Sequence, residues 1–179
     1  MKKAPERVET ERLILRRPTV DDANEVFARY ASDVEVSRYL AWRLHNSPEM
    51  TRSFLEFSDT EWSRWPAGPY IIESHDGRIL GGTGLAFETS YRASTGYVLA
   101  RDAWGKGYAT EAVRAMVDVS EALGLIRLYA LCHVDHAKSA HVLEKTGFKR
   151  EGVLHRYLEF PNLAPGNPSD VYCYARLLT

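Results

Sequence analysis

The segment from Leu99 to Ala112 restricts the fold of this chain more than any other. An apolar strand runs through Leu99 to Ala100, a turn containing Gly105 and Gly107 follows, and a long amphipathic helix then begins. Small apolar side chains recur on one face of that helix as far as Gly124, where a left-handed glycine is typical of a helix end. A strand, a glycine turn and an amphipathic helix in direct succession favour helices layered on a sheet.

The pattern on both sides of this segment predicts a mixed α/β fold. Strands are expected at residues 12–16, 70–74, 79–87, 94–100, 127–133, 148–157 and 171–177, and helices at 19–30, 47–65, 107–124 and 135–146. Asp76-Gly77 marks a hairpin, so the strands between residues 70 and 100 form an antiparallel meander. We predict one α/β domain over residues 1–179, whose twisted, mostly antiparallel sheet has six to seven strands and about four flanking helices.

Composition excludes several classes of protein. The 179 residues carry 23 Lys plus Arg against 24 Asp plus Glu, a balance that gives no basis for binding nucleic acid or a membrane surface. No apolar run approaches the roughly 20 residues of a membrane span, and the charged start, Met1–Glu6, lacks a signal core. We expect a cytoplasmic protein whose two cysteines, Cys132 and Cys173, stay reduced.

The glycine turn suits an anionic ligand. The first N–H groups of a helix have no internal partner and the helix dipole is positive there, so main-chain donors can hold a pyrophosphate. Glycines let the phosphates approach closely, and Lys106 adds a positive charge. A plain tight turn before a core helix is the alternative interpretation of the same residues.

Two better-known phosphate motifs do not fit. A P-loop needs Lys and Ser or Thr after its last glycine, whereas Tyr108 follows Gly107 here. The dinucleotide fingerprint lacks its third glycine, and the preceding strands are antiparallel. His, Cys and carboxylate residues are not clustered at zinc spacing, so no metal is expected.

Four segments, in order, resemble motifs of the GNAT superfamily of N-acetyltransferases. They are Thr10–Arg16, Gly96–Leu99, Trp104–Ala112 and Ser139–Phe148. Trp104 stands where the superfamily usually has Gln or Arg, but Trp-Gly-Lys-Gly-Tyr-Ala-Thr-Glu-Ala is typical of the branch that resembles the ribosomal-protein N-terminal alanine or serine acetyltransferases. The resemblance covers nearly the whole chain and implies acetyl-CoA as cosubstrate.

The resemblance also implies where the cosubstrate lies. The pantetheine arm would pair with the backbone near Val98 and Leu99, the turn would hold the pyrophosphate, and the helix from Asp135, which caps it, would flank the thioester. The cofactor residues so implied are Val98, Leu99, Trp104, Gly105, Lys106, Gly107, Tyr108, Ala109, Thr110, His136 and Ser139. His136 stands where the family usually has Asn.

Acetyl transfer needs a neutral amine and a proton donor for the leaving thiolate. The family's usual Tyr donor is replaced by Leu143, and the resemblance implies Ser139 instead, although Ser139 could also bond only the cofactor or a helical carbonyl. Two customary carboxylates are missing, at Leu131 and at Ser94-Thr95. Glu88 and His133 remain as candidate bases, and a water relay is the alternative.

The resemblance implies an amine acceptor, but three interpretations of the protein's function stay open. The leading one is acetylation of a protein or peptide N-terminus; the others are acetylation of a small-molecule amine and a non-catalytic acyl-CoA-binding module. Trp42, Trp62, Trp65, Tyr157 and Phe160 are candidates for lining the acceptor pocket, with core packing as their alternative role. Arg38 and Arg43 border the same region and either attract an acidic peptide or face solvent. A homodimer is left open.

Overall fold

The computed structural model describes residues 2–178. Its strands are β1 (Arg7–Glu9), β2 (Leu13–Arg16), β3 (Pro69–Ser74), β4 (Ile79–Phe87), β5 (Arg92–Leu99), β6 (Arg127–His133), β7 (Lys149–Leu158) and β8 (Ser169–Leu177). Its α-helices are α1 (Ala23–Val26), α2 (Val34–Ser37), α3 (Pro48–Arg64), α4 (Tyr108–Ala122) and α5 (Ala137–Lys145). A 3₁₀ turn at Val20–Asp22 precedes α1, and a π-helical turn at Phe27–Ala31 follows it.

The strands form one open sheet in the order β1-β2-β3-β4-β5-β6-β8-β7. Every neighbouring pair is antiparallel except β5 and β6. These two strands pair in parallel only from Arg92 opposite Arg127 to Ser94 opposite Tyr129. Beyond that point β5 continues with β4 as far as Leu99, while β6 continues with β8 as far as His133. A gap therefore opens in the middle of the sheet.

The main core lies between the sheet and α4. Ala112, Val113 and Met116 recur at helical spacing and are fully buried. They pack in one cluster with side chains of β2, β5 and β6 and with Leu143 of α5. Gly124, with φ +76°, follows the last turn and ends the helix in the left-handed conformation that glycine tolerates. This packing fixes the start of α4 beside the gap.

The predicted mixed α/β fold with a mostly antiparallel sheet is confirmed, and residues 2–178 contain one strand and one helix more than expected. β1 has three residues, two of them exposed, so its pattern is too short to recognise without its partner β2. α2 is a single turn, and its one sequence signal is Asp33, whose carboxylate accepts bonds from the N–H groups of Glu35 and Val36.

One predicted cap is wrong. The N-cap of α5 is His136 instead of Asp135, because the Asp135 N–H donates to Nδ1 of His133 at 3.1 Å and the helix begins only at Ala137. No helix within residues 2–178 has both the length and the apolar character needed to cross a bilayer.

Candidate active site

The backbone that faces the gap can be identified from the strand register. Leu99 lies opposite Gly81, and the Ala100 N–H donates to the Leu80 carbonyl at 2.8 Å. Since backbone groups alternate in direction along a strand, the N–H and C=O of Val98 turn toward β4 and those of Leu99 turn into the gap. The Leu99 carbonyl accepts a bond from the Trp104 indole at 2.8 Å. The Leu99 N–H therefore faces the gap, while Val98 lines the site with its side chain.

A cavity of about 660 Å³ occupies this gap. Its lining comes from both helical layers, which meet where β5 and β6 separate. On the side of α4 and α5 it includes Trp104, Gly105, Ala109, Lys138 and Ser139, and on the side of the N-terminal helices it includes Tyr39, Trp42 and Phe54. The cavity thus connects the glycine turn to an aromatic region on the opposite face of the sheet.

The glycine turn has the conformation that the sequence required. Gly105 has φ +71° and Gly107, the N-cap of α4, has φ +83°, a region that side chains rarely adopt. A Cβ on Gly105 would meet nothing within 4 Å, so its glycine is required by the backbone alone. The first N–H groups of α4 begin at Tyr108. Of the predicted cofactor residues in this stretch, Gly105 and Ala109 line the cavity, whereas Lys106, Gly107, Tyr108 and Thr110 do not.

An ion-pair network anchors the start of α4. The Glu111 carboxylate accepts bonds from the Thr10 hydroxyl at 2.6 Å, from the Arg12 N–H at 2.8 Å and from Nε of Arg12 at 2.7 Å. Nη1 of Arg12 also donates to the Lys106 carbonyl at 2.8 Å, and its guanidinium lies 4.9 Å from the Tyr108 ring centre. Sequence reasoning found both motifs but not this contact between them.

Ser139 lies in the first turn of α5 and lines the cavity. Burial raises the pKa of Tyr97 and of Cys132, and in both cases the nearby Ser139 side chain offsets part of the rise. The hydroxyl of Ser139 is therefore close to the phenol of one strand and the thiol of the other, at the gap. Tyr97 was part of a sequence motif but was not among the predicted site residues.

The two predicted histidines share one stack of rings. Tyr39 stacks on His136 at 4.5 Å between ring centres and lies 5.1 Å from His133, which meets Phe160 edge-on at 5.0 Å. Nδ1 of His133 accepts the Asp135 N–H, so the neutral ring carries its proton on Nε2 and acts as a donor there. Burial lowers the pKa of His136, and His133 and Lys138 lower it further, so that His136 is neutral near pH 7.

The structure does not bring Glu88 to this site. Glu88 accepts a bond from the Tyr129 hydroxyl and pairs with Arg92 at 2.6 Å, at the end where β5 and β6 are still joined. It does not line the cavity, and no part of the predicted role of Glu88 is supported by its position.

The predicted acceptor aromatics separate into three groups. Trp42 and Phe160 line the cavity. Trp62 is buried against Tyr70, and Trp65 stacks on Phe87, so both serve the core. Tyr157 is 59% exposed on β7, away from the cavity.

A residue that sequence reasoning missed fixes the loop after α2. The Nδ2 of Asn162 donates to the Ser37 carbonyl at 2.9 Å and to the Trp42 carbonyl at 2.8 Å, and its Oδ1 accepts the Leu44 N–H at 2.9 Å. Asn162 therefore ties residues 37–44 to the loop that carries Phe160. No group of three or more possible metal ligands occurs within residues 2–178.

Known proteins have sequences and folds related to those of this chain. Residues 12–149 match a family model described as an acetyltransferase (GNAT) domain. The uncharacterized N-acetyltransferase YoaA of Bacillus subtilis (strain 168) is 34% identical over 178 residues, an alignment that covers 94% of each protein.

Two solved structures are similar at lower identity. A ribosomal L7/L12 α-N-protein acetyltransferase, RimL, in complex with coenzyme A, matches with a TM-score of 0.84 and 22% identity, over 97% of this chain and 98% of that one. A spermidine N-acetyltransferase from Vibrio cholerae, in complex with CoA and spermine, matches with a TM-score of 0.78 and 20% identity, over 94% and 96%. Likeness at this identity concerns the fold, and the two proteins are named for different kinds of acceptor.

Proposed function

This chain belongs to the GNAT acetyltransferase family, and on that premise we propose that it transfers the acetyl group of acetyl-CoA directly to the α-amino group of a peptide or protein. The observation that carries the proposal is the cavity between β5 and β6, which has the glycine turn at one end and Ser139 along its wall. An extended thioester and an amine entering from opposite faces of the sheet would meet inside this gap.

The cosubstrate would bind mainly to main-chain groups. The N–H groups of residues 105–110 would hold the pyrophosphate, with the charges of Lys106 and Lys138 beside them. The Leu99 N–H would bond the pantetheine arm as a neighbouring strand would, and the side chains of Val98 and Trp104 would flank it. His136 would lie near the thioester end, since it lines the same cavity.

For this reaction the protein would have to position the two reactants and supply one proton to the departing sulfur. The amine nitrogen bonds to the acetyl carbon, the carbon–sulfur bond breaks, the amine loses a proton to water, and the departing sulfur takes a proton. Ser139 would give that proton, and Tyr97, whose phenol is close to it, would restore the proton and regain its own from water. The Nε2–H of His133 is suited to donate to a carbonyl oxygen and not to accept a proton from the amine.

The charges around the cavity favour an α-amine over an alkylamine. Glu35 is the only carboxylate among the described residues that line it, and Glu35 is exposed. An acceptor without a carboxylate base must arrive neutral. At pH 7.5 the neutral fraction of an α-amine, with a pKa of about 8, is roughly two hundred times that of an alkylamine with a pKa of about 10.4. A polyamine would also find no counter-charge inside.

A panel of amines tests the proposal. The purified protein is incubated with acetyl-CoA and either a peptide with a free α-amine, the same peptide blocked at that amine but carrying a lysine, or spermidine. We expect thiol release and a singly acetylated product with the free α-amine, at a rate at least about tenfold above the others because of its neutral fraction. Turnover of spermidine alone would overturn the acceptor class, and CoA binding without any turnover would indicate a non-catalytic binding module.

A further inference from the structure

The wall of the cavity opposite α4 and α5 is apolar and aromatic. From the N-terminal half it is built by Tyr30, Val36, Tyr39, Leu40, Trp42 and Phe54, and from the C-terminal half by Leu158 and Phe160. Trp42 lies 5.0 Å from the buried His45, whose ring is 6.3 Å from that of Phe54. The rings of Tyr39, His133 and Phe160 contact one another as well, so aromatic side chains form much of this wall.

Charged side chains are nearly excluded from this wall. Among the described lining residues, Glu35 and Lys138 are the only carboxylate and the only Lys or Arg, and both are exposed. Arg38 and Arg43 belong to the loop that carries Tyr39 and Trp42, but they are exposed and do not line the cavity. An acidic or basic side chain entering here would lose its hydration without a partner.

The aromatic wall is held in place before a ligand arrives. Asn162 uses both of its side-chain donors and its acceptor to fix the backbone of the loop at Ser37, Trp42 and Leu44. Nδ1 of the buried His45 is hydrogen-bonded to the Thr51 hydroxyl at 2.8 Å, which links the end of the loop to α3. A preformed apolar pocket lowers the entropic cost of binding a side chain that fills it.

We infer that the acceptor carries a large apolar or aromatic side chain on the residue that bears its α-amine, and that Tyr39, Trp42, Phe54 and Phe160 form the subsite for that side chain. This inference rests on the proposed function and narrows its substrate class. A peptide acceptor also presents a carbonyl next to the amine-bearing carbon, which is a suitable partner for the Nε2–H of His133. Small, acidic and basic first residues would leave the subsite empty or bury a charge.

The test uses peptides that differ only in their first residue: Phe, Leu, Ala, Asp or Lys. Filling an apolar subsite with a Phe or Leu side chain should raise kcat/KM over the Ala peptide by about tenfold to a hundredfold. Trp42→Ala should remove most of that advantage, so that kcat/KM for the Phe and Leu peptides falls toward the value for the Ala peptide. Arg43→Ala, which changes an exposed neighbour on the same loop, is the matched control and should leave the ranking unchanged.

The outcomes separate this inference from the proposed function. Acetylation of all the peptides at similar rates, or preference for the Asp, Lys or Ala peptide at its α-amine, overturns the subsite and leaves α-amine transfer standing. Acetylation of none of them, while another amine is turned over, overturns both. Because Trp42→Ala could disturb folding, its acetyl-CoA KM and thermal midpoint are measured first, and Trp42→Leu is compared with it. A loss of rate that is equal for all peptides in a folded Trp42 variant also overturns the subsite.

Discussion

Ser139 is the residue on which the proposed chemistry depends most directly. Its side chain is close to those of Tyr97 and Cys132 at the gap. For Ser139→Ala we expect kcat to fall about a hundredfold with the acetyl-CoA KM little changed, since a positioned proton donor is lost. Steady-state kinetics measures kcat and the acetyl-CoA KM of the variant, after the chemical step has been shown to limit turnover. A raised KM with a kcat loss below about fivefold, short of a donor's effect, would instead make Ser139 a binding contact.

Gly107 allows a second comparison between single residues. Gly107→Glu places a carboxylate at the start of α4, where the pyrophosphate would lie, so CoA affinity should fall at least about tenfold through repulsion and loss of approach. Gly77→Glu is the matched control, because Gly77 also has φ +83° and lies in an open hairpin. The control carries the same charge and the same backbone strain away from the turn. Calorimetric titration that gives equal CoA affinities for two folded variants would exclude the turn from the site.

The sequence identified Ser139 and Gly107 because each belongs to a local motif. It could not identify Tyr97 as a partner of Ser139, because the two residues approach only when β5 and α5 pack on opposite sides of the gap. It also could not exclude Glu88. Glu88 follows the end of β4, beside the start of β5. Its distance from the site therefore depends on which end of β5 separates from β6, and no local sequence pattern indicates that.

At the scale of the elements, the contact between β2 and α4 supports the glycine turn. Burial raises the pKa of Glu111, but hydrogen bonds from Thr10 and Arg12 lower it more, so the net pKa lies below its ordinary value of 4.5. A depressed carboxyl pKa stabilises the fold above pH about 4.5, and this contribution is lost as the pH falls through the lower folded value. Glu111→Gln should therefore cost about 1–3 kcal/mol near neutral pH.

Denaturant unfolding of Glu111→Gln at several pH values measures this effect. The difference from the unaltered protein should shrink as the pH falls below about 4.5, where Glu111 in the unfolded chain begins to take up a proton, and should be lost below the depressed folded pKa. CoA affinity should also fall at neutral pH, because Arg12 would no longer be held against the Lys106 carbonyl. A stability difference that is constant across this pH range would mean that the charge of Glu111 does not anchor the helix.

The loop clamped by Asn162 gives the second prediction at this scale. Asn162→Asp keeps the acceptor for the Leu44 N–H but turns a carboxylate oxygen toward the carbonyls of Ser37 and Trp42. Two unpaired carbonyls should disturb the aromatic wall and raise the acceptor KM about tenfold or more, with the acetyl-CoA KM little changed. Asn167→Asp, on the exposed part of the same loop, is the control. Equal changes in both KM values would indicate a general structural defect.

At the scale of the whole molecule, the sequence predicts the layers but not the gap. The order of strands and helices, the hairpin glycine and the amphipathic α4 were enough for a mixed α/β fold. The gap arises because β6 pairs along its whole length with β8, about 40 residues later in the chain, while β5 stays with β4. Non-local pairing of this kind is set by competition among all strands for partners.

The gap also leaves few direct backbone contacts between the two halves of the sheet. They share only three parallel residue pairs, from Arg92 to Ser94, so a ligand lying between β5 and β6 adds a connection that the free protein lacks. Binding to the folded state alone should stabilise it by about 2.7 kcal/mol at a hundred times Kd, a shift in Tm of roughly 5–11 °C for a chain of this size.

Hydrogen exchange followed by NMR should locate that connection. The Leu99 N–H faces the gap, whereas the Val98 N–H faces β4, so CoA should slow exchange at Leu99 beyond the general increase produced by stabilisation. Val98 is the internal control, since it is the adjacent residue on the same strand. Extra protection at Val98 but not at Leu99 would mean that the register is shifted, and equal protection at both would mean that the arm does not bind β5 as a strand. A specific effect at Leu99 would show that the ligand completes the sheet at the place where the strands separate.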